Sequence, residues 1–310
     1  MTAASPIATI DESEAWRLLL ALRECVRRGE APERPLGLRL GVDGRLEEVG
    51  AEDAWLVVRP DLPEGWAPPG PAGRHAYGPG AADLLDLYMP LCVGARCRSL
   101  VVGHLAQTID GRIATLNGVS RFITGDANLK HAHRMRALCD AVLVGARTVE
   151  HDDPFLTTRL VPGGHPTRVV LDPRGRLRPD HHLFLDGAAP TLVVRGRRHA
   201  RGAAPEPPAG HATLVYVDEF EGRMPVEQIL HELRERGLRR IFIEGGGVTV
   251  SRFLQAGALD RLHVAVAPMI MGSGRPAFSL PAIERLEDAM RLRWRSVRMG
   301  DDVLFDCVFA

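Results

Sequence analysis

Three stretches of the chain carry side chains that could act together on a small molecule. The first is Ile241-Phe242-Ile243-Glu244-Gly245-Gly246-Gly247, followed by Val248 and Thr249. An apolar run ends in a carboxylate and three glycines, and the next residues read as the start of a helix. Glycine lets the backbone approach a ligand closely. The free N–H groups and dipole of a helix start suit a phosphate. The run is not GxGxxG and lacks the Lys-Ser/Thr of a P-loop, and a tight strand-to-helix turn would read the same way. The second stretch runs from Ala146 to Arg159 and contains Thr148, Asp152, Asp153, Leu156 and Arg159. It follows a buried strand, so it lies where open α/β sheets bind ligands. Carboxylates, a hydroxyl and an arginine there can fix sugar hydroxyls and a phosphate, although Asp before Pro also opens ordinary turns. The third is Ala106 to Ala114, then Gly118 to Gly125 with Ser120 and Phe122. By spacing alone it is a turn between a strand and a helix.

Metal chemistry is not expected. The five cysteines, Cys25, Cys92, Cys97, Cys139 and Cys307, are odd in number and sparse, unlike a disulfide or zinc framework. They read as small buried or half-buried thiols. His131 and His133 sit two apart in a helical pattern and so point to different faces. The HELRE segment at 231–235 lacks the second histidine of a zinc-protease helix.

The elements that must position these residues are legible from periodicity. Apolar strands read at 99–107, 141–145, 167–172, 191–194, 213–217, 239–244, 260–268 and 302–309. Helices read at 127–138, where Thr124-Gly125-Asp126 could cap the start, at 225–236 and at 248–255. Alternating strands and helices, with several strands apolar throughout, describe an α/β domain whose central sheet is covered on both faces. Residues 1–95 differ. A helix at 11–28, short strands at 36–40 and 54–58, a Pro/Gly-rich loop at 61–80 and a helix at 83–88 suggest a small α+β accessory domain preceding residues 96–310. The arginine-bearing stretch 195–211 reads as solvated surface.

The 310 residues are 45% hydrophobic and 25% charged, with 39 basic and 39 acidic side chains. A balanced chain argues against nucleic acid as a partner. No run approaches a membrane span, and the N-terminal residues lack the pattern of a secretory signal. Cytoplasm is the expected location.

Taken in order, AQTIDGRIA, GVSRFITG, HRMRALCDAVLVGARTVEHDDPFLTTR, RVVLDPRGRL, IEGGG and LDRLHVAVAPMIMGSG resemble the reductase domain of riboflavin biosynthesis, the C-terminal half of the bifunctional deaminase-reductase. The resemblance spans residues 99–309. It implies a dihydrofolate-reductase-like fold, with a mostly parallel central sheet and helices on both faces. It also implies reduction, by NADPH, of the ribosyl group of a ribosylaminopyrimidine 5′-phosphate to ribityl. Ser120, Arg136, Leu156 and Arg159 match substrate positions, and Glu244 also faces the substrate. Ala106, Phe122, Thr148, Asp152 and the turn Gly246-Gly247-Val248-Thr249 match cofactor positions. Arg136 and Arg159 would suit phosphate clamping. Hydride would pass to C1′ of the substrate imine near Ala106 and Phe122. Asp152, Glu244 and His104 are the candidate proton donors, with no choice among them.

Two positions depart from the family pattern. His104 stands where lysine is frequent, and Pro173 where a cofactor-contacting serine is frequent. Arg174 is expected to take over by pairing the 2′-phosphate of NADPH. Residues 1–98 lack the H-x-E and P-C-x-x-C of the zinc deaminases. Two other readings stay open: a reductase of another pterin-like or pyrimidine substrate, and a non-catalytic nucleotide sensor. Family members pair as homodimers, and the strand at 260–268 with its apolar tail is the expected surface.

Overall fold

The computed structural model describes residues 8–30, 32–62, 64–69, 75–93, 99–121, 123–200 and 211–309. The chain forms two compact units, Met1–Leu100 and Val101–Ala310.

The first unit contains β1 (Ala8–Ile10), α1 (Glu12–Arg27), β2 (Leu36–Leu40), β3 (Leu46–Val49), β4 (Leu56–Val58), β5 (Trp66–Ala67), β6 (His75–Tyr77) and α2 (Ala81–Cys92). A capping box starts α1: the Asp11 carboxylate accepts the Glu14 N–H at 2.8 Å, and Glu14 accepts the Asp11 N–H at 3.0 Å. This satisfies two donors that a helix start would otherwise leave open. The buried stripe of Trp16, Leu19, Leu22 and Val26 faces inward, and Trp16 meets Tyr88 of α2 edge-on at 5.9 Å. Strands β3, β2, β4 and β5 form an antiparallel sheet in that order. Helix α2 is longer than the 83–88 expected. It continues through Pro90 to Cys92, because apolar residues on several of its faces are buried and tertiary packing outweighs the local break.

The second unit contains β7 (Leu100–Thr108), β8 (Arg112–Thr115), α3 (Asp126–Leu138), β9 (Ala141–Gly145), α4 (Ala146–Asp152), β10 (Thr167–Leu171), α5 (His182–Leu185), β11 (Thr191–Gly196), β12 (Ala212–Val217), α6 (Val226–Glu235), β13 (Arg240–Glu244), α7 (Gly247–Gln255), β14 (Arg261–Ala267), β15 (Gly274–Pro276), β16 (Arg293–Met299) and β17 (Asp302–Val308). Nine strands make one sheet in the order β12-β11-β10-β9-β13-β7-β14-β17-β16. The pairs from β12 to β9, β9 with β13, and β7 with β14 are parallel; β17 and β16 add antiparallel pairs. One face packs Leu143, Val169 and Ile243 against Ile229, Leu230 and Leu233 of α6 and Val250 and Phe253 of α7. The alternate residues face α3, where Asn128 meets His104 and His131 meets His263. The mostly parallel α/β sheet expected from the sequence is therefore present, covered on both sides.

Several local expectations need correction. Thr124 does not cap α3. The Asp302 carboxylate, on β17, accepts the Gly125 N–H at 2.7 Å instead, and the Thr124 hydroxyl accepts from Asn128. Strand β14 is not an edge open to a second copy. It lies between β7 and β17, and β16 forms the edge. Helix α4 occupies Ala146–Asp152, which was not read as a helix, and β16, Arg293–Met299, was not read as a strand. Residues 201–210 of the arginine-bearing stretch, and Cys97, lie outside the described residues.

Candidate active site

Among the sheet's central neighbours, β13 ends in Glu244, β9 runs into the Ala146–Arg159 stretch, and β7 carries His104 and Ala106 toward its end. Each strand is nearly or wholly buried along its length, so its register is fixed by both faces. The chemistry-bearing residues at its C-terminal end are held accordingly.

At the end of β13, Glu244 receives Arg136 from α3 in a two-toothed pair. Arg136 Nε donates to Oε2 at 2.9 Å and Nη2 donates to Oε1, while Nη1 donates to the Thr157 carbonyl at 3.1 Å. The pair is largely shielded, with side-chain exposures of 7% for Arg136 and 18% for Glu244. Burial pushes the Glu244 carboxyl up, but the Arg136 charge and its hydrogen bonds hold it below the usual carboxylate range. Glu244 is thus a fixed anion at neutral pH. The Arg136 fork is committed to Glu244 and Thr157.

Arg159 is the more available cation. It is exposed, and Nη1 donates to the Thr157 hydroxyl at 2.8 Å while the guanidinium lies 5.0 Å from the Phe155 ring centre. No carboxylate pairs with it among the described residues. Burial and the nearby Arg136 charge lower its pKa, a repulsion that a bound anion would relieve. Its backbone is pinned by a residue that sequence reading passed over. His133 Nδ1 accepts the Arg159 N–H at 2.8 Å. Burial, followed by the Arg136 and Arg159 charges, lowers His133 to about 4, so it stays a neutral acceptor. The available signal was its spacing: His133 and Arg136 are i and i+3 on one helix and share a face. The same loop holds Asp153 at φ 39° and Leu156 at φ 56°. Left-handed backbone is uncommon for a bulky residue and concentrates at functional sites. The Leu156 side chain is buried, so what this position offers a ligand is its backbone.

A second cluster joins α4 to the glycine turn. A Cβ built on Gly246 would lie 3.2 Å from the Thr148 hydroxyl, and one on Gly145 would lie 2.6 Å from the Thr249 hydroxyl. Two threonine hydroxyls thus crowd the start of α7, where Gly245 and Gly246 adopt φ of 65° and 68°. Gly247 is glycine for a different reason: its Cβ would fall 2.3 Å from the Ala277 carbonyl. Val248 is exposed. Asp152, the last residue of α4, accepts the Ser120 hydroxyl at 3.2 Å, so the second and third stretches of the site are in contact.

His104 is enclosed on β7, its Nε2 3.1 Å from Asn128 Oδ1 and its ring 5.8 Å from that of Phe242. Burial lowers it to about 4, so it carries no charge at neutral pH. Ala106, two residues on, is half-buried. Arg174 is exposed in the turn after β10. Phe122 lies outside the described residues. Among the described residues no three His, Cys, Asp or Glu side chains gather as a metal site.

Comparison with known proteins finds relatives that cover the second unit. The chain is 36% identical over 217 residues to the 2,5-diamino-6-ribosylamino-4(3H)-pyrimidinone 5′-phosphate reductase of Methanothermobacter thermautotrophicus, covering 67% of this chain and 97% of that protein. It is 34% identical over 201 residues to the riboflavin biosynthesis protein RibD of Aquifex aeolicus, covering 64% of this chain and 54% of that one, so it spans about half of such longer relatives. Among solved structures, the deaminase/5-amino-6-(5-phosphoribosylamino)uracil reductase of Thermotoga maritima superposes with a TM-score of 0.58 at 27% identity, covering 76% of this chain and 64% of that one. Residues 99–305 match the RibD C-terminal domain, and the chain belongs to that family.

Proposed function

We propose that this chain is an NADPH-dependent reductase of riboflavin biosynthesis. It would convert the ribosyl group of a ribosylaminopyrimidine 5′-phosphate, of the 2,5-diamino-pyrimidinone or 5-amino-uracil type, into ribityl. The carrying observation is the meeting, at the ends of adjacent β9 and β13, of an anion-ready arginine loop with a glycine–threonine cradle. The archaeal pyrimidinone phosphate reductase, matched over nearly its whole length, supports the substrate class.

The residues present fit a nicotinamide dinucleotide. Glycine at 145 and 246 lets the Thr249 and Thr148 hydroxyls come close to the backbone at the start of α7. At the start of α7 the Gly247 and Val248 N–H groups precede the first intrahelical bond, whereas the Thr249 N–H donates to the Gly246 carbonyl at 2.9 Å. Gly246, Gly247 and Val248 would hold the pyrophosphate by backbone, Thr148 and Thr249 would add their hydroxyls, and Ala106 would border the nicotinamide. When bound, the reduced ring supplies a hydride, and the protein's contribution is placement and electrostatics. Arg159 takes the substrate phosphate, with Leu156 offering backbone and Ser120 a hydroxyl. Glu244, kept ionised by Arg136, stabilises the positive charge of a protonated C1′ imine rather than giving up a proton. His104 is neutral and committed to Asn128, so it shapes the site. Asp152, in contact with Ser120, is left to handle the proton of the opened sugar.

The same reading includes a cytoplasmic location and a homodimer. Exposed Trp294 on the edge strand β16, with exposed Ile283, Leu286 and Met290 before it, supports pairing of two copies. The test of function is a substrate panel with NADPH that includes both ribosylaminopyrimidine phosphates and dihydrofolate. Turnover of a ribosylaminopyrimidine phosphate to its ribityl product is expected. Turnover of dihydrofolate alone, or binding without turnover, would overturn the proposal.

A further inference from the structure

The loop that carries Arg159 is braced by a short helix that the mechanism leaves unused. Helix α5 is anchored by Leu183 and Phe184, whose side chains are fully buried. It is tied to the loop at both ends. At its start, Asp153 accepts the His182 N–H at 2.9 Å, and its second carboxylate oxygen pairs with His182 Nδ1. At its end, the Asp186 carboxylate receives Arg168 Nη1 at 2.7 and 2.9 Å, and the same nitrogen lies 3.4 Å from the Phe155 carbonyl. Arg168 is itself fully buried on β10, so the second tie is held by the sheet.

Between these ties the His182 imidazole lies against the Phe155 ring, with centres 4.5 Å apart and a tilt of 38°. The Arg159 guanidinium lies 5.0 Å from the centre of the same ring. Phe155 thus touches both the brace and the cation. Phe155 and His182 are exposed, so core packing does not account for their contact, whereas the negative face of a phenyl ring attracts a guanidinium. Arg159 is held at two further points: Nη1 by the Thr157 hydroxyl and the backbone N–H by His133. Among the described residues no hydrogen bond engages its Nε or Nη2. Those two atoms form the edge that offers parallel donors to a phosphate, the edge with which Arg136 takes Glu244.

We propose that Phe155 and His182 are positioning residues for substrate binding: backed by α5, they hold the Arg159 guanidinium with its Nε–Nη2 edge presented to the 5′-phosphate of the substrate. The inference deepens the function proposed above and rests on it. An exposed arginine otherwise samples many rotamers, and ordering it on binding costs affinity. The brace orders it before the ligand arrives. The group read in this way is a terminal phosphate monoester.

A double-mutant cycle on the full chain tests the proposal. KM and kcat are measured with NADPH and a ribosylaminopyrimidine 5′-phosphate. Binding of ribose 5-phosphate, the phosphate-bearing part of that substrate, is followed by isothermal titration. Phe155→Leu keeps apolar bulk but removes the ring face. It is expected to raise KM and the ribose 5-phosphate Kd by about 3- to 10-fold, with kcat and NADPH affinity changed by less than about 2-fold. His182→Ala should act in the same direction by about 2- to 5-fold, and His182→Phe, which restores a ring, should recover most of that loss. In an Arg159→Met background Phe155→Leu should add nothing, because both changes act through one guanidinium. Should Phe155→Leu fail to fold, His182→Ala in the same two backgrounds completes the cycle. Wild-type KM and Kd in the folded variants would overturn the proposal, as would losses that add to that of Arg159→Met. If wild type neither turns over the substrate nor binds ribose 5-phosphate, the function proposed above falls and takes this inference with it. Normal wild-type turnover with unaffected variants sinks the brace alone.

Discussion

Glu244 and Arg136 act as one unit, and their substitutions should separate charge from scaffold. Glu244→Gln keeps the shape but leaves a buried guanidinium facing a neutral amide. Turnover is expected to fall by about 100-fold or more, with NADPH affinity by fluorescence titration within about 3-fold of wild type. Unchanged turnover would remove Glu244 from the mechanism. Arg159→Met acts differently because Arg159 is exposed and takes part in no ion pair among the described residues. It should raise the substrate KM by on the order of 10- to 100-fold and leave kcat and the melting temperature nearly unchanged; a normal KM would show that the phosphate is held elsewhere. At this scale the residue types were legible in the sequence, because a carboxylate before a glycine turn and an arginine behind a buried strand advertise their chemistry. Their partners were not. Arg136 and Glu244 are 108 positions apart, and nothing local says that the arginine is occupied by the glutamate rather than offered to a phosphate.

Among the elements, α3 and α7 position the site and are themselves held by distant groups. The start of α3 depends on Asp302 of β17, which replaces the local cap that Thr124 does not supply. Asp302→Ala should cost about 1 kcal/mol of stability, the usual worth of a cap, and chemical denaturation would measure it. No loss would mean that the Gly125 N–H finds another partner. The start of α7 is fixed by close packing of Gly247 on the Ala277 carbonyl, so Gly247→Ala must push the helix or the strand-like segment away. Both denaturation midpoint and dinucleotide affinity are expected to fall, whereas a glycine needed only for ligand approach would lose affinity at normal stability. The apolar strands β7, β9, β10, β11 and β13 were readable because both faces are buried and their runs are continuous. Helix α4 was hidden by its shortness and by Asp153-Pro154, and β16 by arginines that read as surface and break a period of two at Arg298.

For the molecule as a whole, burial of neutral imidazoles predicts a pH dependence. His104 and His133 are lowered to about 4, and His131 is lowered well below its ordinary value, in each case first by burial. The unfolded chain takes up these protons below about pH 6.5 while the folded chain refuses them, so stability is fully present above that pH and declines as pH falls toward 4. The slope can reach about 1.4 kcal/mol per pH unit for each histidine. Denaturation midpoints measured between pH 7.5 and 5 should decline on the acid side; a flat profile would contradict the burial of neutral rings. The division of the chain near its first hundred residues was legible from the change in composition, and the α/β character of the rest from its alternating elements. The role of the first unit was not, because its helices and short strands carry packing residues without a chemical pattern. The most direct measurement is loss of reduced-nicotinamide absorbance when the purified chain meets NADPH and a ribosylaminopyrimidine 5′-phosphate. Stoichiometric formation of the ribityl product is the predicted result, and an intact substrate with no consumption of NADPH under conditions where the protein is folded would contradict it.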